Sequence, residues 1–175
     1  LQAMNALGRP GPEEVNAYFA RYIDLADGRD LLEALANASE QVRATAQRIP
    51  SEKAGYRYAA GKWTIEQLMQ HVVDTERIFT YRALCFARKD ATELPGFEEN
   101  DYADATADSD KGLRRILAEH DAVRNATIEL FRGFNDDELL RKGTANGNRF
   151  SVRALGWATA GHAMHHVKVL HERYL

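Results

Sequence analysis

Proline is nearly absent from this chain. It stands only at 10, 12, 50 and 95, and the long intervals between carry apolar residues at every third or fourth position, with few β-branched alternations. Proline removes a backbone donor and clashes with the preceding turn, so long helices must fit inside these intervals. The spacing therefore predicts an all-α chain, and 175 residues fit one domain spanning 1–175.

Four helical regions follow. The first is in two pieces, from about Glu13 to Ile23 and from about Asp30 to Arg48, broken near Gly28 and closed before Pro50. Leu31, Leu35, Ala38, Val42 and Ala46 form one stripe of the longer piece. The second is expected over 64–89, opened by a Thr64-Ile65-Glu66-Gln67 capping box. Ile65, Leu68, Met69, Val72, Val73 and Phe79 make it apolar enough for a bundle interior, with His71 and Asp74 among them. The third is expected from about Ser109 to Phe131 with Gly133 as its C-cap, and the fourth from a Ser151 cap to Tyr174. Between the second and third, from Asp90 to Ala107, periodicity fails and Asp90, Glu93, Glu98, Glu99, Asp101 and Asp104 occur without a basic residue. This reads as a long acidic loop, either functional or a crossover between distant ends. The stretch from Asn135 to Arg149 reads as a polar connection.

Charge and cysteine content narrow the partners. With 23 Lys plus Arg against 26 Asp plus Glu, the formal charge of -3 gives no cationic field, so nucleic acid is not an expected partner. No apolar run approaches the roughly 18–20 residues of a bilayer span, and no leader pattern opens the chain, so a membrane is not expected either. Cys85 stands alone, which rules out an internal disulfide and a four-cysteine zinc site and makes the cytoplasm the expected compartment. Small bundles often pair through helix faces, which leaves a homodimer open.

Three histidines lie in Gly161-His162-Ala163-Met164-His165-His166. His162 and His166, at i and i+4, sit one turn apart on one face, where both can reach one metal ion. His165 points about 100° away from His166 and is left out. A third ligand has to come from another helix, and His71 is the histidine within the interior pattern of the second. His71 lies roughly 10 Å from the start of its helix, while His166 and His162 lie roughly 12 and 18 Å from the end of theirs. The depths match if these two helices are antiparallel, which requires a long crossover, and residues 90–107 extended can span up to roughly 60 Å. On spacing alone two other readings stay open: His71 as a hydrogen-bonded core histidine and the i,i+4 pair as surface residues.

The segments Gly61-Lys62-Trp63-Thr64-Ile65, His71-Val72-Val73-Asp74-Thr75-Glu76-Arg77, Leu94-Pro95-Gly96-Phe97 with Asn100-Asp101-Tyr102, and Gly161 to His166 together resemble the DinB-like superfamily, in its YfiT-like branch of metal-dependent enzymes. The resemblance implies a four-helix bundle of up-down-down-up topology whose three-histidine metal site is His71, His162 and His166. It also implies an activity within a family that includes hydrolases, isomerases and S-transferases using a low-molecular-weight thiol.

Three imidazoles leave coordination positions open, the layout of a catalytic rather than a structural centre, and such a donor set suits Zn²⁺ or Ni²⁺ better than Mg²⁺ or Ca²⁺. A metal so held can activate water for hydrolysis or a thiol for S-transfer on a small-molecule substrate. Asp74 and Glu76 are the expected carboxylates to orient a ligand or act as base. The same residues also read as ion-pair partners of nearby arginines. Trp63 reads as a staple beside the helix cap, Cys85 as a core residue, and Phe97 and Tyr102 as either pocket walls or pins for the crossover. The alternative to an enzyme is a non-catalytic bundle with a vestigial or structural metal site, acting through a protein partner.

Overall fold

The computed structural model describes residues 6–175. Its helices are α1 (Ala17–Ile23), α2 (Leu31–Gln47), α3 (Ile65–Ala87), α4 (Glu99–Ala105), α5 (Leu113–Gly133), α6 (Asp136–Leu140) and α7 (Val152–Val169), which runs into a π-helical turn at Leu170–Tyr174. A hairpin of β1 (Lys142–Ala145) and β2 (Asn148–Ser151) precedes α7. The four long helices α2, α3, α5 and α7 are the bundle; α1 and α2 are the two pieces of the first helical region.

Three of the four bundle helices start on a side-chain cap, while α5 follows Gly112, which has none to offer. Asp30 accepts from the Glu33 amide, Thr64 and Gln67 close a reciprocal box at 3.1 and 2.9 Å, and Ser151 Oγ accepts from the Ala154 amide at 3.0 Å. These bonds satisfy amides that have no partner within their own helix.

Cross-helix contacts fix the topology. Glu66 near the start of α3 meets Gly112, the residue that caps α5, and Glu76 farther along α3 meets Arg124 farther along α5, so α3 and α5 are parallel. Thr45 meets His171, and Leu31 packs over Gly156, so α2 and α7 are parallel too. By contrast Trp63 at the head of α3 accepts from Tyr174 at the tail of α7, while Leu35 and Arg43 of α2 meet Arg124 and Asp121 of α5. Both of those pairs are antiparallel. The order is up-down-down-up, and the connection over 88–112 must return the whole length of α3, roughly 34 Å.

That connection is less irregular than its sequence suggests. Instead of an unbroken acidic loop it contains α4, capped by Glu98, and Leu94 joins the hairpin through Leu94 N to Thr144 O at 3.1 Å and Asn146 N to Leu94 O at 2.9 Å. The stretch expected as a plain polar connection holds α6 and the hairpin. The hairpin turns on Asn146 and Gly147, both at positive φ, as a two-residue turn of this twist demands. The third helix starts at Leu113 rather than Ser109, and Gly133 is its last helical residue, with Phe134 as the cap.

The core lies between the helices, with Trp157, Phe131, Phe86 and Leu155 fully buried. Cys85 is a buried free thiol within it. Two buried ion pairs brace the bundle. Glu76 binds Arg124 Nε and Nη2 at 2.8 and 2.9 Å, and Glu14 binds Arg153 and the Ser151 hydroxyl at 2.6–2.7 Å. Gly161 lets α1 lie directly on α7, since a Cβ there would overlap the Tyr22 carbonyl oxygen. No helix among the described residues is long and apolar enough to cross a membrane.

Candidate metal centre

The antiparallel contact of α3 with α7 brings His71 to His162 and His166. His71 Nε2 and His166 Nε2 each stand 3.1 Å from His162 Nε2, and one ligand nitrogen from each ring lies within 4.8 Å of the others. A neutral imidazole nitrogen either donates or accepts, so the single position on His162 Nε2 cannot make a linear hydrogen bond to both neighbours. Three lone pairs aimed at one cation can all be satisfied. With metal–nitrogen bonds of about 2.0–2.1 Å, adjacent ligand nitrogens stand about 2.9 Å apart around an octahedral ion and about 3.4 Å apart around a tetrahedral one. The 3.1 Å contacts fall in that interval.

The rings are neutral because of where they sit. Burial, reinforced by His165, pushes His71 down to about 4. Burial followed by neighbouring histidines holds His162 and His166 well below the ordinary 6.5. Neutral imidazole is the ligating form, so the fold presents donors rather than cations. Aromatic side chains supply much of the burial: the Trp63 ring lies 4.8 Å from His71, and the edge of Tyr22 meets His162 and His165 at 5.5 and 5.3 Å. Trp63, expected only as a staple, thus also covers His71, and its Nε1 donates to Asn100 at 3.2 Å.

The carboxylates expected at the site stand elsewhere. Five residues along an α-helix rotate a side chain about 140° from His71, which turns Glu76 toward α5. There both its oxygens are held by Arg124, and Oε1 also accepts from Thr127 at 2.7 Å. Burial alone would raise its pKa, but the Arg124 charge and these bonds hold it below the usual carboxylate range. Asp74 accepts from Gln70 at 2.9 Å, and Gln70 in turn accepts from Lys111. Neither carboxylate lines the cavity beside the histidines. Glu98 and Glu99 do, and of the two Glu99, half-exposed at the start of α4, comes to the histidines, with Oε2 3.9 Å from His71 Nε2. Burial and the Glu98 charge raise its pKa. Glu99 was hidden in the acidic stretch, where a run of carboxylates reads as solvated surface; only the fold of the crossover singles it out. Thr75, one turn beyond His71, places its hydroxyl 3.4 Å from His71 Nδ1.

The cavity measures about 260 Å³ and is walled by Tyr18, Phe19, Tyr22, Phe79 and Phe97, with His71, His162, Thr75, Arg82, Glu98, Glu99 and Asn146 as its polar lining. A larger one of about 770 Å³ opens between α2 and the start of α5, but no histidine, cysteine or carboxylate lines it. Chemistry, not size, marks the first as the candidate site.

A family model described as the DinB superfamily matches residues 34–170. Among solved structures the fold is similar to that of YfiT from Bacillus subtilis, described as a probable metal-dependent hydrolase with an unusual four-helix bundle topology. The likeness covers 94% of this chain and 91% of that one, at 14% identity and a TM-score of 0.70. A search of curated proteins returned no match.

Proposed function

The chain belongs to the DinB superfamily, and from that premise we propose that His71, His162 and His166 hold a divalent metal ion, zinc or nickel, in an enzyme acting on a small molecule. The observation that carries this reading is the convergence of three neutral ring nitrogens on one point beside a cavity. When bound, such an ion acidifies a water or a thiol, which is the chemistry of hydrolysis or of S-transfer from a low-molecular-weight thiol. The remaining work falls to the chain. Trp63 and Tyr22 exclude bulk water from the imidazoles. Glu99 stands where a proton released at the cavity floor can be accepted, and its raised pKa suits a base better than an ordinary carboxylate would. Thr75 orients the His71 ring. The lone buried cysteine suits a reducing compartment such as the cytoplasm.

The test is elemental analysis of protein purified without chelator or nickel affinity, for wild type and His162→Ala. Near-stoichiometric zinc or nickel, lost in the variant, is expected. Turnover of ester, amide and thiol-transfer substrates should then fall in Glu99→Gln with metal content unchanged. Absence of metal even after anaerobic reconstitution with zinc, nickel and iron would overturn the reading.

A further inference from the structure

Buried arginines in this bundle have carboxylate partners, with one exception. Arg124 is paired with Glu76 and Arg153 with Glu14. Arg82, only 4% exposed, has no ion pair among the described residues. Its one hydrogen bond runs from Nη2 to the Pro95 carbonyl at 3.0 Å and its Cζ stands 5.9 Å from the Phe79 ring, while Nε and Nη1 have no acceptor among the described residues and are open to the cavities that Arg82 lines. Burial lowers its pKa with no opposing charge, yet a guanidinium stays protonated at any ordinary pH. A guanidinium largely withdrawn from water, without a carboxylate beside it and with donors open to a cavity, is set to receive an anion through charge-assisted hydrogen bonds.

Position says which ligand. Arg82 lies eleven residues beyond His71, a rotation within about 20° of three full turns, so both occupy one face of α3, roughly 16 Å apart along its axis. Helix side chains lean toward the N-terminus, which carries the guanidinium back toward the histidines. Arg82 borders the histidine cavity and also an adjoining one of about 280 Å³ lined mainly by apolar side chains, among them Ile78, Leu94 and Phe97. Glu98 and Glu99 stand at the histidine cavity and repel an anion there.

We propose that Arg82 anchors an oxyanion of the substrate, a carboxylate or phosphate on an apolar body, and thereby turns the neutral end of the molecule toward the three histidines. The proposal rests on the catalytic reading of that cleft and names its substrate class. It needs no metal for the binding step itself.

Phenylacetate, phenyl phosphate and the neutral phenylacetamide are the probes, titrated calorimetrically into chelator-treated and zinc-reconstituted protein. We expect one or both anions to bind about ten- to a hundredfold more tightly than the amide in both preparations, the range for a charge-assisted hydrogen bond. The tighter anion identifies the class. Arg82→Met should abolish the preference, Arg82→Lys should keep part of it, and His162→Ala should leave it intact. Equal affinity of anions and amide for wild-type protein overturns the proposal, whether or not Arg82→Met folds. So does an anion preference that appears only with zinc and survives Arg82→Met, a result that would favour the metal centre instead. An Arg82-dependent preference in a protein that takes up no metal would keep the anchor and remove the metal reading.

Discussion

Removing the Glu76 carboxylate tests whether this residue holds the fold or performs chemistry. In Glu76→Ala the Arg124 guanidinium, 1% exposed, keeps only the Leu35 carbonyl at 2.6 Å, and the Thr127 hydroxyl loses one acceptor. Breaking a buried pair from one side costs about 3–5 kcal/mol, because the surviving charge is left without compensation. For a domain of this size each kcal/mol moves the melting temperature by about 2–4 °C, so a fall of about 6–20 °C is expected. Replacing both partners, in Glu76→Leu with Arg124→Met, should recover most of the loss, since a packed apolar pair no longer strands a charge. Urea denaturation of the wild type, both single variants and the double variant closes the cycle. The bound-metal stoichiometry of folded Glu76→Ala should equal that of wild type. A single variant within about 1 kcal/mol of wild type would refute the reasoning. So would a variant of full stability that has lost its metal or activity.

Two further outcomes follow from the geometry. Gly161→Ala should lower stability by about 1–3 kcal/mol, because the new methyl must push the α1 backbone at Tyr22 away from α7; a melting temperature equal to wild type would contradict that contact. The metal-free protein should lose stability as pH falls from 6.5 toward 4. Over that window His71 binds a proton in the unfolded chain but not in the folded one, a slope of up to about 1.4 kcal/mol per pH unit, with His162 and His166 adding to it in the same sense. Denaturation curves at pH 7 and 5 that coincide would contradict the buried neutral rings.

Much of this arrangement was legible in the chain before any coordinates. The four long helices follow from apolar spacing, and the starts of α2, α3 and α7 from Asp30, Thr64 and Ser151, each a local signal; α5 begins at Leu113 rather than at the expected Ser109, after a glycine that offers no cap. The i,i+4 histidines and the depth of His71 led to an antiparallel α3–α7 pair, which in turn required the long crossover. What escaped was short or tertiary. The Asn146-Gly147 turn is a strong hairpin signal, but polar Lys142 and Asn148 around it give no alternating apolar pattern. Seven residues of α4 are too few for periodicity to register. Proximity in sequence to His71 drew attention to Glu76, whereas the angle around the helix decided where it points. Glu99 and Arg82 earn their interest only from what surrounds them in space.

The parallel neighbours also bear on how the protein comes to be folded. An up-down bundle can zip from hairpins of consecutive helices, whereas here α2 and α3, consecutive in the chain, each pack mainly on α5 and α7. The His71–His162 contact spans 91 residues of sequence, so the entropy of closing a long loop is met before any part of the cluster exists. Nascent chain emerging from synthesis holds His71 without partners until α7 has been made. The ligand set is complete only when the last helix docks, which makes a competent metal centre a report that the whole bundle has assembled.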